Sequence, residues 1–307
     1  MSSVRSTPSQ HVLQRSHGNS PTYRDLSAIL DRLALAGKLI ARDIRSAGFL
    51  GLLGNAGGTN VQGEVVQKLD ERANEIFVEV FKGYGGLVRL LVSEELEQPC
   101  AVSAIDGLAA VGGPYAVFID PLDGSSNVDI NATVGSIFSI HRVGAQATPA
   151  SLQELLKLGT EQVAAGYVLY GPYTLLVYTC GQGVHQFTLD QEIGEFLLTQ
   201  ESITMPVHGT VYSVNEANYR KWTRGAQKFL DALRNPDPAW GRSYSARYSG
   251  CLVADVHRLL TSGGVYLYPA EVNKPEGKLR LMYEGSPLGF LVEQAGGAAS
   301  TGVQRML

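Results

Sequence analysis

The sequence predicts an α/β fold in which two lobes form a layered sandwich. Its 307 residues exceed the usual domain length of roughly 100 to 200 residues, which suggests two domains or lobes. Amphipathic helical stretches alternate with strand-like stretches in both halves of the chain. Hydrophobic residues make up 44% of the chain and charged residues 18%, and the 35 glycines indicate many tight turns, as in a globular protein.

Charge and composition exclude several classes of partner. The formal net charge is −4 and the pI about 5.9, so no basic field covers the molecule and a nucleic-acid partner is not expected. No apolar run reaches the roughly 18 residues of a membrane span, so no membrane partner is expected. The three cysteines, Cys100, Cys180 and Cys251, show no C-x-x-C pairing, so neither a disulfide framework nor a structural zinc site is indicated. A reducing compartment such as the cytoplasm fits best.

The start of the chain leaves two interpretations open. Residues 1–24 contain no acidic residue, and Ser, Thr, Arg and His are frequent there. Such a segment is either a flexible, solvated tail or a short transit-like presequence, and a presequence would make the plastid stroma the alternative location. We expect the flexible tail.

Two amphipathic helices are predicted in the first lobe. Apolar residues recur at helical spacing over about 25–47, and again on one face of a second helix that runs from Leu69 to Phe81. Asp70 lies beside Leu69 at the start of the second helix. Between the two helices, "GLLGNAGGTNVQG" is typical of a glycine-rich loop.

Two strand-like segments in the first lobe end at acidic residues. "LVRLLV" (Leu87 to Val92) stops at "SEE", and "YAVFI" (Tyr115 to Ile119) stops at "DPLDGSS". Further strand-like segments follow at close spacing, which favours a meander. They lie around 134–140, 165–170, 175–179 and 184–189.

The alternation of strands and helices resumes in the second lobe. The strand "VYSV" is followed by a helical stretch to about Leu233, a polar connection, a helix from about Leu252 to Thr261 and the strand "VYLYPA". A second αβ layer accounts for this pattern. We therefore divide the chain into a first lobe at 25–205 and a second lobe at 206–307.

Acidic residues gather at the ends of the predicted strands: Glu94, Glu95, Asp120 and Asp123. Like charges brought close together raise one another's pKa unless a cation neutralises them. Oxygen ligands without a nearby His or Cys pair suit Mg²⁺ or Mn²⁺ better than zinc. Taken singly, Asp-Gly is also an ordinary turn, and Glu-Glu an ordinary solvated strand end.

The turn that follows the second pair of acids is a candidate anion cradle. Pro121 fixes the chain between two acids, and Gly124, Ser125 and Ser126 can bring backbone N–H groups up to an anion. A metal site beside an anion cradle indicates phosphate chemistry.

The stretch "DPLDGSSNVD" resembles the signature of the Mg²⁺-dependent, lithium-sensitive phosphatase superfamily, specifically of the class I fructose-1,6-bisphosphatases. Further segments, among them "LVSEE", "VAAGYVLYG", "YSVNE" and "GKLRLMYE", occur in this family's order, and the resemblance covers about Leu26 to Gly302. It implies a layered αβαβα sandwich of the sugar phosphatase type, with a catalytic metal lobe and a sugar-phosphate lobe, in a homotetramer. It also implies hydrolysis of the 1-phosphate of D-fructose 1,6-bisphosphate to fructose 6-phosphate, in gluconeogenesis or the Calvin cycle.

The resemblance implies two or more Mg²⁺ ions in each site, with Mn²⁺ as an alternative. The implied metal ligands are the side chains of Glu94, Asp120, Asp123 and Glu284 and the backbone carbonyl of Leu122. Two further residues are implied in catalysis: Glu95 belongs to the same acidic cluster, and Asp70 orients or deprotonates the attacking water. Such ions polarise the phosphoryl group and lower the pKa of a bound water, so no covalent enzyme intermediate is needed.

A larger set of residues is implied in binding the sugar bisphosphate. It comprises Asp123, Gly124, Ser125, Ser126, Asn215, Arg247, Tyr248, Tyr268, Lys278 and Arg280. Cations beside tyrosine hydroxyls suit a phosphate that is bound but not cleaved. Arg247 is expected to reach into the neighbouring subunit's site. His257, on a predicted helix without an adjacent nucleophile, is interpreted as structural.

The chain departs from the family pattern at two functional sites. Asn218 stands where the family usually has a tyrosine that contacts the retained phosphate, and Tyr219 follows it. The amino-terminal turn that receives AMP in relatives has no counterpart, and Pro114 replaces a lysine of that site, although Tyr115 and Arg142 remain. We therefore expect AMP to inhibit weakly or not at all.

Two other functions remain as alternatives. A sedoheptulose-1,7-bisphosphatase, or an enzyme with both substrates, would bind similar phosphates, although "YSVNE" and "ARYSG" favour fructose. The chain stops at Leu307, where relatives continue for roughly another strand and helix. The alternative from another class is therefore a truncated, weakly active paralogue that regulates a full-length partner.

Overall fold

The computed structural model describes most of the chain. The described residues are 5–15, 20–59, 65–84, 86–102, 112–145, 147–149, 155–156, 159–235 and 244–307. Part of the predicted polar connection after Leu233 lies outside these ranges. The helices within them are α1 (Pro8–Gln14), α2 (Pro21–Arg45), α3 (Ala47–Leu50), α4 (Lys68–Phe81), α5 (Arg224–Arg234), α6 (Leu252–Ser262) and α7 (Ser286–Gln294).

The strands form one large sheet and two small ones. Those in the described ranges are β1 (Asn55–Thr59), β2 (Val65–Gln67), β3 (Val88–Ser93), β4 (Cys100–Ala101), β5 (Tyr115–Asp123), β6 (Val134–Arg142), β7 (Gln162–Tyr170), β8 (Thr174–Thr179), β9 (Val184–Asp190), β10 (Glu195–Ile203), β11 (Val211–Ser213), β12 (Ser245–Ala246) and β13 (Val265–Tyr266). The main sheet has the order β10-β9-β8-β7-β6-β5-β3-β4. Within it β3 and β5 are parallel, and the other neighbours are antiparallel.

Helices cover both faces of the main sheet. α1, α2 and α4 pack against one face, where Phe77 of α4 is buried with Ile119 of β5. α6 and α7 pack against the opposite face, where Val253 and Leu291 are buried with Ile137 of β6. Since both faces are covered, all residues of β5 are buried, which explains the continuous apolar run from Tyr115 to Ile119 in its first half.

The second lobe adds a parallel sheet and an outer helix. α6 contacts β11 and β13 as well as the main sheet, so it lies between two sheets. The small sheet has the order β12-β11-β13, and α5 buries Leu230 and Leu233 together with Tyr212 of β11. The layers therefore run helix, sheet, helix, sheet, helix, which confirms the predicted αβαβα sandwich.

The start of the chain differs from the predicted flexible tail. α1 lies within it, with Val12 fully buried and with a capping box formed by Thr7 and Gln10. α2 also begins earlier than predicted, at Pro21. The expectation of a flexible segment over 1–24 is therefore corrected for the described residues, because the apolar side of α1 packs on the main core.

The structure contains one strand pair, one further strand and one helix that the sequence analysis does not predict. β1 and β2 pair as antiparallel strands where a glycine-rich loop is predicted. β10 is an edge strand with a largely exposed middle, so its sequence shows little alternation of apolar and polar residues. α7 is buried along most of its length and lacks the polar face by which amphipathic helices are recognised.

Candidate active site

Two parallel strands deliver acidic residues to one edge of the main sheet. β3 ends at Ser93 and β5 at Asp123, and the two strands pair in parallel. Glu94 follows β3 directly, and its N–H donates to the carbonyl oxygen of Ile119 on β5 at 3.1 Å. Because the carboxyl ends of parallel strands lie at the same edge of a sheet, Glu94 and Asp120 are brought close together.

Carboxylates form a buried cluster at this edge. One oxygen each of Asp120, Asp123 and Glu284 lies within 4.8 Å of the other two. The three residues expose only 5%, 9% and 7% of their surface. Glu284 belongs to a π-helical turn, Leu281–Gly285, directly before α7. Because the ligand atoms are oxygens and the charges are alike, this carboxylate cluster fits a hard divalent cation such as Mg²⁺.

Arg280 partly balances the charge of the cluster. Its guanidinium lies 3.0 Å from Glu94 and 3.8 Å from Glu284, and its backbone N–H donates to Glu284 at 2.6 Å. Burial is the main cause that raises the pKa of Asp120 well above its ordinary value, and three neighbouring carboxylates raise it further while Arg280 lowers it. One guanidinium among four carboxylates leaves negative charge for a metal ion to neutralise.

Asp123 is held by the amino terminus of α6. It accepts hydrogen bonds from the backbone N–H groups of Leu252 at 3.1 Å and Val253 at 2.7 Å, and from the thiol of Cys251 at 3.0 Å. Burial raises the pKa of Asp123, whereas these hydrogen bonds lower it. The carboxylate is therefore fixed in orientation by the protein itself, at a helix end that favours negative charge.

A left-handed glycine turns the chain after Asp123. Gly124 has φ +75°, and a Cβ at this position would lie 2.8 Å from the Cβ of Cys251. Both the left-handed backbone and this close contact exclude a side chain at position 124. A short 3-10 helix, Ser125–Ile130, begins directly after the turn, with Ser126 exposed. The predicted anion cradle therefore borders the carboxylate cluster.

The remaining predicted catalytic residues lie outside this three-carboxylate cluster. Asp70 is buried in the first turn of α4, where its side chain accepts the backbone N–H of Gln67 at 2.8 Å. Glu95 is half-buried just beyond the end of β3. Leu122 donates its N–H to the carboxylate of Asp120 at 3.1 Å. The roles of Asp70, Glu95 and the Leu122 carbonyl stay predictions.

A pocket in the second lobe gathers several of the predicted sugar-phosphate residues. It is lined by Val214, Asn215, Asn218, Trp222, Tyr268, Pro269, Glu271 and Lys278. The side chain of Tyr248 hydrogen-bonds to Asn215. Lys278 forms an ion pair with Glu271 at 2.9 Å, and this hydrogen bond lowers the pKa of the Glu271 carboxyl. Arg247 is exposed.

Asn218 lines the pocket, and Tyr219 is engaged elsewhere. The hydroxyl of Tyr219 donates to Asp231 of α5 at 2.7 Å, and its ring lies edge-on to Trp222 at 6.0 Å between centroids. The side-chain oxygen of Asn218 accepts a hydrogen bond from Lys221 at 2.9 Å. Tyr219 is therefore not among the residues that line this pocket.

Three further residues contact the site or lie near it: His257, Cys251 and Glu271. His257 lies 2.7 Å from the hydroxyl of Tyr167, and burial lowers its pKa to about 4, which agrees with a structural role. Cys251 and Glu271 are absent from the predicted site residues, although each contacts a predicted one. For Cys251 the sequence carries little signal, because cysteine is not among the residues preferred at the N-cap position that it occupies. For Glu271 no local pattern reveals the contact.

Both lobes match models of known protein domains. The model described as Fructose-1-6-bisphosphatase, N-terminal domain, matches residues 6–201, and the model described as Fructose-1-6-bisphosphatase, C-terminal domain, matches residues 205–307. The chain belongs to the class 1 fructose-1,6-bisphosphatases. Within this fructose-1,6-bisphosphatase, the carboxylate cluster combines residues from the two matched domains, since Glu284 belongs to the second.

Individual fructose-1,6-bisphosphatases match over nearly the whole chain. The fructose-1,6-bisphosphatase class 1 of Crocosphaera subtropica is 51% identical over 302 residues, which cover 98% of this chain and 83% of its own length. That of Nostoc punctiforme is 49% identical, with 98% and 84% covered. Among solved structures, Leishmania major fructose-1,6-bisphosphatase in holo form has a TM-score of 0.89 at 39% identity, covering 99% of this chain and 91% of that chain.

Replacing Asp120 or Asp123 by asparagine is expected to change stability in opposite directions. Asp120→Asn removes a buried charge from among like charges and keeps an oxygen for the N–H of Leu122, so the Tm without Mg²⁺ should rise. Asp123→Asn sets an amide against the donors of α6 and should cost about 1 to 3 kcal/mol of unfolding free energy. Both variants should lose activity by orders of magnitude, because each removes a predicted metal ligand.

Calorimetric unfolding in the presence of a chelator, over a range of pH, measures these effects. Since the pKa of Asp120 is raised in the folded state, this carboxyl binds more protons in the folded protein than in the unfolded chain above its ordinary pKa of 3.8. The free energy of unfolding of the wild type relative to that of Asp120→Asn should therefore fall as the pH rises from there. The comparison with the variant isolates Asp120 from buried His185 and His257, whose lowered pKa values change stability in the opposite direction. A lower Tm in Asp120→Asn, or wild-type activity in either folded variant, would contradict the assignment.

Proposed function

We propose that this fructose-1,6-bisphosphatase hydrolyses the 1-phosphate of D-fructose 1,6-bisphosphate to fructose 6-phosphate and phosphate. One observation carries the proposal: a single short segment, residues 278–284, contributes to two sites. It supplies Lys278 to the pocket of the second lobe and Glu284 to the carboxylate cluster. A lysine-lined pocket beside a metal-binding cluster suits a substrate with one phosphate that stays and one that leaves. The names of the relatives support this substrate.

Two or more Mg²⁺ ions, or Mn²⁺, are proposed at the carboxylate cluster. The proposed ligands are Glu94, Asp120, Asp123, Glu284 and the carbonyl of Leu122. When bound, ions of this kind polarise the phosphoryl group and lower the pKa of a bound water. The donor set fits such ions, because it is built from oxygens and carries more negative charge than Arg280 balances.

The residues around the cluster would orient the reaction. Asp70 and Glu95 are proposed to position and deprotonate the attacking water, as general bases must. The backbone N–H groups of Gly124, Ser125 and Ser126 would receive the oxygens of the phosphoryl group. Because these groups are positioned by turns and helix ends, they need little rearrangement during the reaction.

The pocket of the second lobe would bind the phosphate that is not cleaved. Lys278, Asn215, Tyr248 and Tyr268 are its proposed ligands, and Arg280 would contribute from the edge of the cluster. The substrate phosphate must compete with Glu271 for the ammonium of Lys278, since the two side chains are paired at 2.9 Å. Glu271 is therefore expected to weaken substrate binding.

Phosphate release by the purified protein tests the proposed function. We expect Mg²⁺-dependent release from fructose 1,6-bisphosphate, with a kcat/KM well above that for sedoheptulose 1,7-bisphosphate, and loss of activity in chelator. A higher kcat/KM for the sedoheptulose substrate would establish the first alternative. Absence of activity with both substrates at saturating Mg²⁺ would favour the regulatory paralogue.

We further propose a homotetramer located in the cytoplasm, with the plastid stroma as the alternative. Arg247 supports the assembly, because it is exposed directly after β12, where a neighbouring subunit can approach it. No helix in the described ranges combines the length and apolar character needed to cross a membrane. Light scattering coupled to gel filtration gives the mass in solution, and a monomeric mass would contradict the assembly.

Opposite changes of KM are expected at Lys278 and Glu271. Lys278→Met removes a charge-assisted contact to phosphate worth about 1.5 to 3 kcal/mol, so KM for fructose 1,6-bisphosphate should rise roughly tenfold to a hundredfold. Glu271→Gln releases Lys278 and removes a negative charge from the pocket, so KM should fall severalfold.

Lys228→Met is the matched control, because Lys228 is exposed on α5 of the same lobe and is not among the pocket residues. Its KM should stay within about twofold of the wild type, as is usual for an exposed charge. Steady-state kinetics at saturating Mg²⁺ give the three values. An unchanged KM in Lys278→Met would move the retained phosphate to another site.

AMP is expected to inhibit weakly or not at all, because the remaining effector-site residues are already engaged by α2. Arg142 donates to the hydroxyl of Thr22 at 2.5 Å, and the hydroxyl of Tyr115 donates to Asp25 at 3.1 Å. Pro114 offers no cation in place of the family's lysine. Loss of these phosphate contacts should cost about 3 kcal/mol, or two decades of affinity. Half-inhibition at low micromolar AMP, in a titration of activity at saturating Mg²⁺, would show this expectation to be wrong.

A further inference from the structure

A second group of metal-ligating side chains lies where α1 docks against the far edge of the main sheet. His11 of α1, His185 of β9 and Glu201 of β10 each offer one ligand atom, and these atoms lie within 4.8 Å of one another. β9 and β10 are separated from β5 by three strands, so this group is distinct from the carboxylate cluster. The backbone links the same elements, since the N–H of Leu198 on β10 donates to the carbonyl of Ser6 at 2.9 Å.

His11 directs a buried ring nitrogen into this group. The residue is only 3% exposed, and its Nδ1 lies 2.7 Å from the hydroxyl of Tyr178. Its Nε2 is buried and has no hydrogen-bond partner within the described part of the chain. The same Nε2 lies 3.7 Å from a carboxylate oxygen of Glu201. A buried polar atom without a partner is unusual in a native protein, and a bound ion would satisfy it.

His185 completes the arrangement. Its ring centroid lies 4.4 Å from that of His11. Its Nε2 lies 3.3 Å from the carbonyl oxygen of Gln182, and its Nδ1 accepts the backbone N–H of Ser202 at 3.3 Å. Each imidazole thus has one nitrogen beside an oxygen acceptor, which is how metal-binding histidines are usually oriented. The nitrogens that would bind an ion are Nε2 of His11 and Nδ1 of His185. Nδ1 of His185 would first have to give up its 3.3 Å hydrogen bond from Ser202.

We propose that His11, His185 and Glu201 bind a divalent transition-metal ion of the zinc type. Two imidazoles and one carboxylate are a common ligand set for zinc, whereas the oxygen-only carboxylate cluster prefers Mg²⁺. Four-coordinate zinc with bonds of about 2.0 Å keeps its ligand atoms roughly 3.3 Å apart. The distance of 3.7 Å between His11 and Glu201 is close to that value. The separations that involve Glu201 can adjust by movement of its side chain, which is 57% exposed.

The charges around the group set the affinity of the site. Arg15 lies 3.0 Å from Glu201 and donates to the carbonyl of Gln182 at 2.9 Å, so its positive charge weakens cation binding while it holds the carboxylate in place. Burial lowers the pKa of both histidines, that of His185 to about 4, so both rings are neutral at physiological pH and keep a lone pair for an ion. The ion would join α1 to β9 and β10 and stabilise the docking of the amino-terminal segment.

Co²⁺ is a suitable probe, because it occupies zinc sites and absorbs visible light more strongly in a four-coordinate site than in a six-coordinate oxygen site. The full chain is titrated with Co²⁺ at saturating Mg²⁺, which occupies the oxygen ligands of the carboxylate cluster. We expect a visible absorption band that saturates at one ion per chain. Glu201→Gln should weaken this binding at least tenfold, and the exposed position of Glu201 ensures that the variant folds. His11→Asn should remove the band.

Two control variants keep the ligands and should keep the band. His208→Asn removes an exposed histidine elsewhere, and Glu284→Gln removes a ligand of the carboxylate cluster. The proposal is overturned if the wild type shows no such band, or if Glu201→Gln binds Co²⁺ as tightly as the wild type. Loss of the band in Glu284→Gln would place the ion at the active site and overturn it equally.

Discussion

The burial of like charges at the ends of two parallel strands is the constraint on which the active site depends. Glu94 and Asp120 are brought together by the pairing of β3 with β5, and Asp123 and Glu284 complete the group. Four buried carboxylates repel one another and prefer to be protonated, so the fold must supply positive charge and hydrogen-bond donors. Arg280 and the amino terminus of α6 supply them, and a hard divalent ion would supply the rest. The carboxylates are thereby held in position at a cost to stability.

The same constraint ties the two lobes together. The amino terminus of α6 donates hydrogen bonds to Asp123 of the first lobe, and the helix packs between the main sheet and the small sheet. The carboxylate cluster is thereby fixed relative to the second lobe. Residues 278–284 act similarly, because Lys278 lines the pocket of the second lobe while Arg280 and Glu284 contact one another at the cluster. A bisphosphate that spans the two sites would therefore meet groups whose separation is set by covalent structure and helix packing, which is the positioning that phosphoryl transfer needs.

Much of this arrangement could be predicted from the sequence. Continuous apolar runs that stop at acids predicted the strand ends, and helical spacing predicted α2, α4 and α6. α1 was not predicted, because its seven residues make only about two turns and show little periodicity. Thr7, Pro8 and Gln10 nevertheless form a recognisable helix start. Contacts between distant segments could not be derived from local patterns. The pairing of Glu271 with Lys278 and the group of His11, His185 and Glu201 depend on how loops and strands meet in the folded chain. Glu284 was placed only by family resemblance.

Metal binding by the carboxylate cluster is the central claim, and Mn²⁺ uptake tests it most directly. Chelator-treated protein is titrated with Mn²⁺, and the free ion is counted by electron paramagnetic resonance. We predict that the wild type takes up Mn²⁺ that Mg²⁺ displaces, and that Glu284→Gln binds it at least tenfold more weakly. Glu293→Gln is the matched control, because Glu293 lies on the neighbouring α7 and pairs with Arg305 away from the cluster. Equal uptake by the wild type and Glu284→Gln would contradict the account.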